Sequence, residues 1–180
     1  MIGIDGTKEG WITAEYKENT WKINFCETLS EINDVEALID IPIGLPESST
    51  RKCDSMARTL LAPERHYSVF NCPVREAVYA ESYEEACSKN ESMTVKKISK
   101  QAWNLTPKIK EADKETRRGK ELKESHPEVF FKKLDKNAVK YSKNREKGLK
   151  GRKKVLSKYG DIPALERIQA KNITDDDILD

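Results

Sequence analysis

Apolar and polar residues alternate along the first part of the chain with the period of a β-strand. Ile2–Gly6 is a short apolar run, and residues alternate between the two classes over Trp11–Tyr16 and again over Trp21–Phe25. The polar residues Lys17–Thr20 separate the second and third runs. This pattern predicts a meander of three antiparallel strands.

A nearly continuous apolar run follows at Ala37–Pro46 and is interrupted by Asp40. A short run of this kind predicts a strand that is buried on both faces. Pro42 cannot donate a ladder hydrogen bond, so we expect regular pairing to fail there. Asp40 is therefore predicted at the carboxyl end of a central strand, facing an opening. The alternative is a structural carboxylate that caps the following turn.

Helical patterns fill the next part of the chain. The cluster Ser48–Thr50 is a candidate cap for a helix over Arg51–Leu61, and Ser82 can cap another helix. Apolar residues spaced three and four apart over Ile98–Ala112 predict a further helix, which we expect to be interrupted at Thr106–Pro107.

A fifth strand is predicted at Glu121–Ser125, and a helix begins at Pro127. Glu124 would lie at the carboxyl end of that strand. Glu128 would lie in the first helical turn, where the helix dipole favours an anion.

These elements predict a single α/β domain over residues 1–180. The expected architecture is a mixed sheet with a helical insertion at about residues 47–120, between the fourth and fifth strands.

Composition narrows the partners only slightly. The 180 residues include 33 basic and 31 acidic side chains, and the net charge of +2 implies no partner by itself. No apolar run is long enough to span a membrane, and the first residues lack the basic region of a signal peptide. We therefore expect a cytoplasmic protein without a membrane partner, whose four cysteines are reduced. The oligomeric state stays open, a dimer included.

Basic residues concentrate between Lys132 and Lys158, where only Asp135 and Glu146 oppose them. This block is either a footprint for the phosphate backbone of a nucleic acid or a solvated surface.

Three carboxylates are predicted to follow strand ends: Asp5, Asp40 and Glu124. If their strands are parallel neighbours, the carboxyl ends converge where open α/β sheets bind ligands. Carboxylates without His or Cys partners suit Mg²⁺ or Mn²⁺. Two such ions about 3.5–4 Å apart can promote phosphodiester hydrolysis.

Several ordered motifs carry a resemblance to a known family. They are Ile2–Gly6 with Gly10 and Trp11, I-D-I-P-I-G-L-P at 39–46, R-x-C-D-x-x-A-R at 51–58, S-V-F-x-x-P-x-R at 68–75, K-I-x-E-x-D at 108–113, E-x-H-P-E at 124–128, S-K at 142–143, G-x-x-x-R at 148–152 and D-D-I-L-D at 176–180. The chain resembles the domain of unknown function 429 family, which is regarded as a family of predicted nucleases with a ribonuclease H-like fold, related to Holliday-junction resolvases.

The resemblance implies Asp5 on the first strand, Asp40 on the fourth and an acidic pair on a last helix that continues past Asp180. We therefore expect Asp5, Asp40 and Asp177 to be metal ligands in a nuclease that uses Mg²⁺ or Mn²⁺. The candidate catalytic residues are Asp5, Asp40, Glu124, Glu128, Asp177 and His126. The candidate substrate-binding residues are Arg51, Arg58, Arg75, Lys143 and Arg152.

His126 could orient a carboxylate or transfer a proton, or it could simply start its helix. Two other functions stay open for the whole chain. One is a nucleotide- or phosphate-binding protein of the same fold, and the other is a non-catalytic protein that binds nucleic acid or acts as a scaffold.

Overall fold

The protein is described by a computed structural model, which covers residues 1–18, 20–33 and 36–160. Its five strands form one sheet in the order β3-β2-β1-β4-β5. The strands are β1 (Ile2–Gly6), β2 (Trp11–Lys17), β3 (Thr20–Cys26), β4 (Ala37–Ile39) and β5 (Leu122–Glu124).

The sheet is mixed, as predicted. Strand β1 pairs antiparallel with β2, and β2 pairs antiparallel with β3, which confirms the meander. Strand β4 lies parallel to β1 on one side and parallel to β5 on the other. The carboxyl ends of β1, β4 and β5 therefore open at the same edge of the sheet.

Four helices lie between β4 and β5, inside the predicted insertion, and two follow β5 in the described residues. They are α1 (Lys52–Leu61), α2 (Arg75–Val78), α3 (Tyr83–Thr94), α4 (Lys100–Arg117), α5 (Pro127–Leu134) and α6 (Glu146–Leu156). Short 3-10 turns occur at Leu29–Glu31, His66–Ser68 and Lys136–Val139.

Helix α4 packs against the sheet beside the site. Ile109 of α4 is fully buried in the same core as Ile4 and Ile39. The Glu111 carboxylate also joins α4 to two other elements. It accepts hydrogen bonds from Trp11 Nε1 at 2.9 Å and from the Leu29 N–H at 2.5 Å.

Strand β4 is shorter than its apolar run predicts and ends at Ile39. The Asp40 N–H still donates to the Ile4 carbonyl at 3.3 Å, so contact with β1 continues for one more residue. Pro42 then lacks the donor that a longer ladder would need.

The predicted interruption of α4 at Thr106–Pro107 is wrong, because the helix runs through both residues. A proline inside a helix leaves the carbonyl four residues earlier without its backbone donor. Here that carbonyl belongs to Trp103, and the Thr106 hydroxyl donates to it at 2.7 Å. The side chain of Thr106 thus replaces the bond that Pro107 cannot make.

Helix α1 differs from its prediction at its start. Its N-cap is Arg51, without a side-chain capping bond, so the cluster Ser48–Thr50 does not cap it. In its first turn, Cys53 is exposed and Asp54 is buried. A buried carboxylate requires partners, and Arg51 supplies one of them.

Cys26, Cys53, Cys72 and Cys87 are free thiols. Across the described ranges, the structure has no helix that combines the length and apolar character needed to cross a membrane.

Candidate functional site

A cavity of about 710 Å³ opens at the carboxyl edge of the parallel strands. Asp5 and Asp40 both line it. Ile4 and Ile39 are paired in register, so the two aspartates that follow them leave neighbouring strands at the same level. Such strands lie about 4.8 Å apart. The expected convergence of these two carboxylates is therefore present.

Asp5 leads directly into a closed loop. The Gly6 N–H donates to Asp5 Oδ1 at 2.7 Å. Thr7 and Gly10 then bond each other twice, through Thr7 N–H to the Gly10 carbonyl at 2.9 Å and Gly10 N–H to Thr7 Oγ1 at 3.1 Å. A Cβ at Gly10 would lie 2.3 Å from the Cys26 carbonyl oxygen, so only glycine fits there.

Glu124 reaches the same cavity but is already bound by cationic and backbone donors. Arg51 contacts both of its oxygens, Nη1 to Oε2 at 2.6 Å and Nη2 to Oε1 at 2.9 Å. The Ile43 N–H donates to Oε2 at 3.0 Å. Two residues predicted for separate tasks, a carboxylate ligand and a phosphate-binding arginine, thus bind each other.

Arg51 also bonds to Asp54 at 2.6 Å and to the Ile43 carbonyl at 3.1 Å. Asp54 accepts a further hydrogen bond from the Cys72 N–H at 3.0 Å. Burial alone would lower the pKa of Arg51, but its hydrogen bonds to Glu124 and Asp54 raise that pKa above its ordinary value. The guanidinium is a charged anchor between α1 and β5.

Glu128 lies in the first turn of α5, as predicted, and is buried between two arginines. Arg65 donates to its Oε1 from Nη2 at 2.7 Å and from Nε at 3.0 Å. Arg152 donates to Oε2 from Nη2 at 2.5 Å. The Arg152 residue is only 1% exposed, and its Nη1 also donates to the Gly148 carbonyl at 3.1 Å. Arg152 therefore lies in the interior of the basic block rather than on its surface.

Two other arginines predicted to bind substrate lie outside the cavity. Arg58 Nε donates to the Val69 carbonyl at 3.0 Å. Arg75 pairs with Asp113 at 2.6 Å and with Glu47 at 2.8 Å. Of the predicted phosphate-binding residues, the cavity lining contains Arg51 and Lys143.

His126 precedes α5 at its N-cap position, without a capping bond from its side chain. It lines the cavity together with Asp5 and Asp40.

The two aspartates also border a second cavity of about 390 Å³ on an apolar face of the sheet. Its lining includes Ile12 and Ile23 of the sheet and Phe130, Phe131 and Leu134 of α5. Asp5 and Asp40 thus stand between an apolar wall and the polar cavity, where charges are less well screened than in bulk water.

The described residues contain no group of three or more His, Cys, Asp or Glu side chains arranged to hold a metal ion. Asp177, the third predicted ligand, lies outside the described residues. Within the described part, Asp5 and Asp40 are the carboxylates of the predicted ligand set that meet at the cavity.

Lys108 and Glu111 line the cavity and were given no role from the sequence. Lys108 Nζ donates to the Gly10 carbonyl at 2.6 Å and lies 4.1 Å from the centre of the Trp11 ring. Both residues belong to the 108–113 motif, but sequence alone places them only on one helix, α4. Their approach to the site depends on how α4 packs across the β1–β2 loop.

Comparison with known proteins gives one result. No curated protein and no solved structure matches the chain. A family model described as "Protein of unknown function (DUF429)" matches residues 3–180, nearly the whole length. The chain therefore belongs to the DUF429 family of proteins of unknown function.

Proposed function

We propose that the protein is a nuclease that depends on Mg²⁺ or Mn²⁺ and hydrolyses phosphodiester bonds of nucleic acid. The observation that carries the proposal is the meeting of Asp5 and Asp40 at the ends of two parallel strands, in register, at one cavity. Two neighbouring carboxylates repel each other unless a cation or a proton lies between them. The mixed sheet with helices between its fourth and fifth strands also supports the proposal, because a ribonuclease H-like fold is expected to have this arrangement.

The two carboxylates suit Mg²⁺ better than a metal whose ligands must all come from protein side chains. Mg²⁺ usually keeps several waters and is bound through one or two carboxylates together with substrate phosphates. Asp5 and Asp40 could provide those carboxylates. Glu124 and Glu128 are less suited, because Arg51, Arg65 and Arg152 compensate their charges. A bound ion would supply Lewis-acid activation of a water molecule.

The remaining residues of the cavity would position the reacting groups. Arg51 holds Glu124 at the edge of the site, and Glu124 in turn fixes the Ile43 N–H at the turn after β4. His126 could accept a proton from the attacking water or give one to the leaving oxygen.

The activity test is cleavage of branched, single-stranded and hybrid nucleic acids with Mg²⁺ or Mn²⁺. Asp40→Asn keeps the shape of the side chain and removes its charge, so it should abolish both cleavage and tight Mn²⁺ binding. Glu84→Gln, at an exposed position on α3, is the matched control and should retain both. Cleavage by the Asp40→Asn protein at the parental rate would refute the proposal.

A second candidate function is non-catalytic binding of nucleic acid. It is favoured by the cations exposed on α5, on α6, between them and just after α6: Lys133, Lys136, Lys140, Arg145, Lys147, Lys150, Lys154 and Lys158. Such a surface can neutralise phosphates without any chemistry, and binding to a duplex should then weaken by about 0.9 log units per contacted phosphate for each tenfold rise in salt.

The salt dependence has its own matched control. Neutralising Lys147, Lys150 and Lys154 with glutamine should reduce both affinity and the salt slope. The same change at Lys96, Lys97 and Lys114, which are exposed in the helical insertion, should reduce neither. Equal effects of the two triple variants would remove this surface as the binding site.

A further inference from the structure

Lys108 is held against the loop that follows Asp5. Its Nζ donates to the Gly10 carbonyl at 2.6 Å and lies over the Trp11 ring. Its aliphatic stem passes over Gly6, where an added Cβ would come within 2.7 Å of Lys108 Cδ. Contacts with this loop and the strands beside it therefore fix the ammonium group, and Lys108 lines the same cavity as Asp5.

The groups that contact the Lys108 ammonium differ from those that contact the arginines of the site. Arg51, Arg65 and Arg152 each form an ion pair with a buried or half-buried carboxylate. The hydrogen-bond acceptor of the Lys108 ammonium is a neutral carbonyl, and the ammonium also lies over an aromatic face. These groups stabilise an ammonium without cancelling its charge.

The electrostatic setting agrees with this geometry. Burial lowers the pKa of Lys108, while the negative charges of Glu111 and Asp5 act in the opposite direction. Glu111 is itself bound to Trp11 and to the Leu29 N–H, so it stays at a fixed place on α4. The negative charge of Asp5 also acts on the Lys108 ammonium.

We infer that Lys108 binds the substrate phosphate in this cavity, beside a single divalent ion on Asp5 and Asp40. This inference rests on the proposed function and adds to it a phosphate-binding residue and the number of bound metal ions. A lysine ammonium is a compact point charge with three donors, and it is a common phosphate ligand in proteins. With this fixed cation at the phosphate, the site needs one metal ion rather than two.

The test compares three variants of the full chain. Lys108→Met keeps a long apolar stem against Gly6 and Trp11 but removes the charge, and Lys108→Arg restores a charge. Lys110→Met is the matched control, because Lys110 also lies on α4 but contacts the Ala80 carbonyl at 3.5 Å, outside this cavity.

Two titrations report on the role of Lys108. The first uses Mn²⁺ alone, and Lys108→Met should bind it about threefold more tightly, because a neighbouring positive charge is gone. The second uses dimethyl phosphate, a phosphodiester that is too small to contact the cavity and the basic surface at the same time. The Lys108→Met protein should bind it about threefold to tenfold more weakly. Lys108→Arg and Lys110→Met should stay near the parental values, and the parent should bind one Mn²⁺.

A merely structural lysine would give a different result. Loss of the Gly10 contact would lower the melting temperature of Lys108→Met and leave its Mn²⁺ affinity unchanged or lower. That result, unchanged binding of dimethyl phosphate, or two tight Mn²⁺ ions in the parent would overturn the inference.

If the parent cleaves no nucleic acid but both titrations shift as expected, the nuclease proposal fails and the inference about phosphate binding stands. If the parent binds no Mn²⁺, the inference as stated is overturned, and weaker binding of dimethyl phosphate by Lys108→Met would then show only that Lys108 contacts phosphate.

Discussion

Arg51 holds Glu124 by two parallel contacts, Nη1 to Oε2 at 2.6 Å and Nη2 to Oε1 at 2.9 Å, across 73 positions of sequence. A planar guanidinium matches both oxygens of a carboxylate in this way. The pair joins the start of α1 to the end of β5, so the helical insertion is fastened to the sheet at the edge of the cavity.

Arg51→Met should destabilise the protein strongly. It leaves Asp54, whose side chain is 3% exposed, without its ion pair. Breaking a buried pair in this way costs about 3–5 kcal/mol of unfolding free energy. Glu124→Gln is the comparison, and it should cost only about 1 kcal/mol because the Glu124 side chain is 31% exposed. Urea denaturation measures both. A loss below about 0.5 kcal/mol for Arg51→Met would indicate a surface arginine instead.

Glu128→Gln should also be costly, since it leaves Arg65 and Arg152 facing a neutral amide in the interior. We expect a loss of about 3–5 kcal/mol in the free energy of unfolding. Arg152→Met should cost less, because Arg65 still compensates Glu128. The double variant should cost less than the sum of the two single changes, because both remove the same pair. Simple additivity in urea denaturation would contradict the pairing at 2.5 Å.

Thr106→Val should measure how much the Thr106 hydroxyl stabilises helix α4 at Pro107, which has no backbone N–H to donate. The change keeps the volume but leaves the Trp103 carbonyl without the hydroxyl that now donates to it. The expected loss of unfolding free energy is about 1–2 kcal/mol. Pro107→Ala returns a backbone N–H to that carbonyl, so Thr106→Val should cost clearly less in the Pro107→Ala background. An equal cost in both backgrounds would show that the hydroxyl matters for another reason.

The Cys72 thiol should make stability depend on alkaline pH. Burial raises its pKa from 9.0 to about 12, although the charge of Arg51 acts against the rise. The folded protein therefore holds this proton more tightly than the unfolded chain. The stabilisation is complete below pH 9.0 and is lost as the pH rises towards about 12. The slope should approach about 1.4 kcal/mol per pH unit.

The check is a comparison of the parent with Cys72→Ala at pH 8 and pH 10.5. Lost packing lowers the stability of the variant equally at both values. The thiol contributes only in the parent, so the difference in unfolding free energy between the two proteins should be smaller at pH 10.5 than at pH 8. A constant gap would show that the Cys72 thiol is not retained in its neutral form by burial.

Local patterns in the sequence were sufficient for most of the sheet. The period-two runs predict β2 and β3, and Asp40 was correctly placed at a strand end because Pro42 is visible beside it. Thr106–Pro107 shows the limit of the same method. Threonine before proline is a normal helix start, and only the three-dimensional helix reveals that the threonine hydroxyl reaches back to Trp103.

The charged contacts of the site could not be predicted in the same way. The sequence shows that Arg51, Arg152, Glu124 and Glu128 are present, but not which of them meet. Basic side chains in a basic block suggested a surface, whereas Arg152 turns inward to Glu128. Long-range pairing depends on how helices stack, and no local period in the sequence encodes that.

The arrangement around Glu128 has a consequence for how the protein opens. Three segments of the chain, at Arg65, Glu128 and Arg152, converge on one carboxylate. If α6 detached alone, Glu128 would lose one of its two cations, so partial opening is as unfavourable as breaking a buried ion pair. Helix α6 should therefore exchange its amide hydrogens together with α5, as one cooperative unit, rather than fray as a peripheral helix.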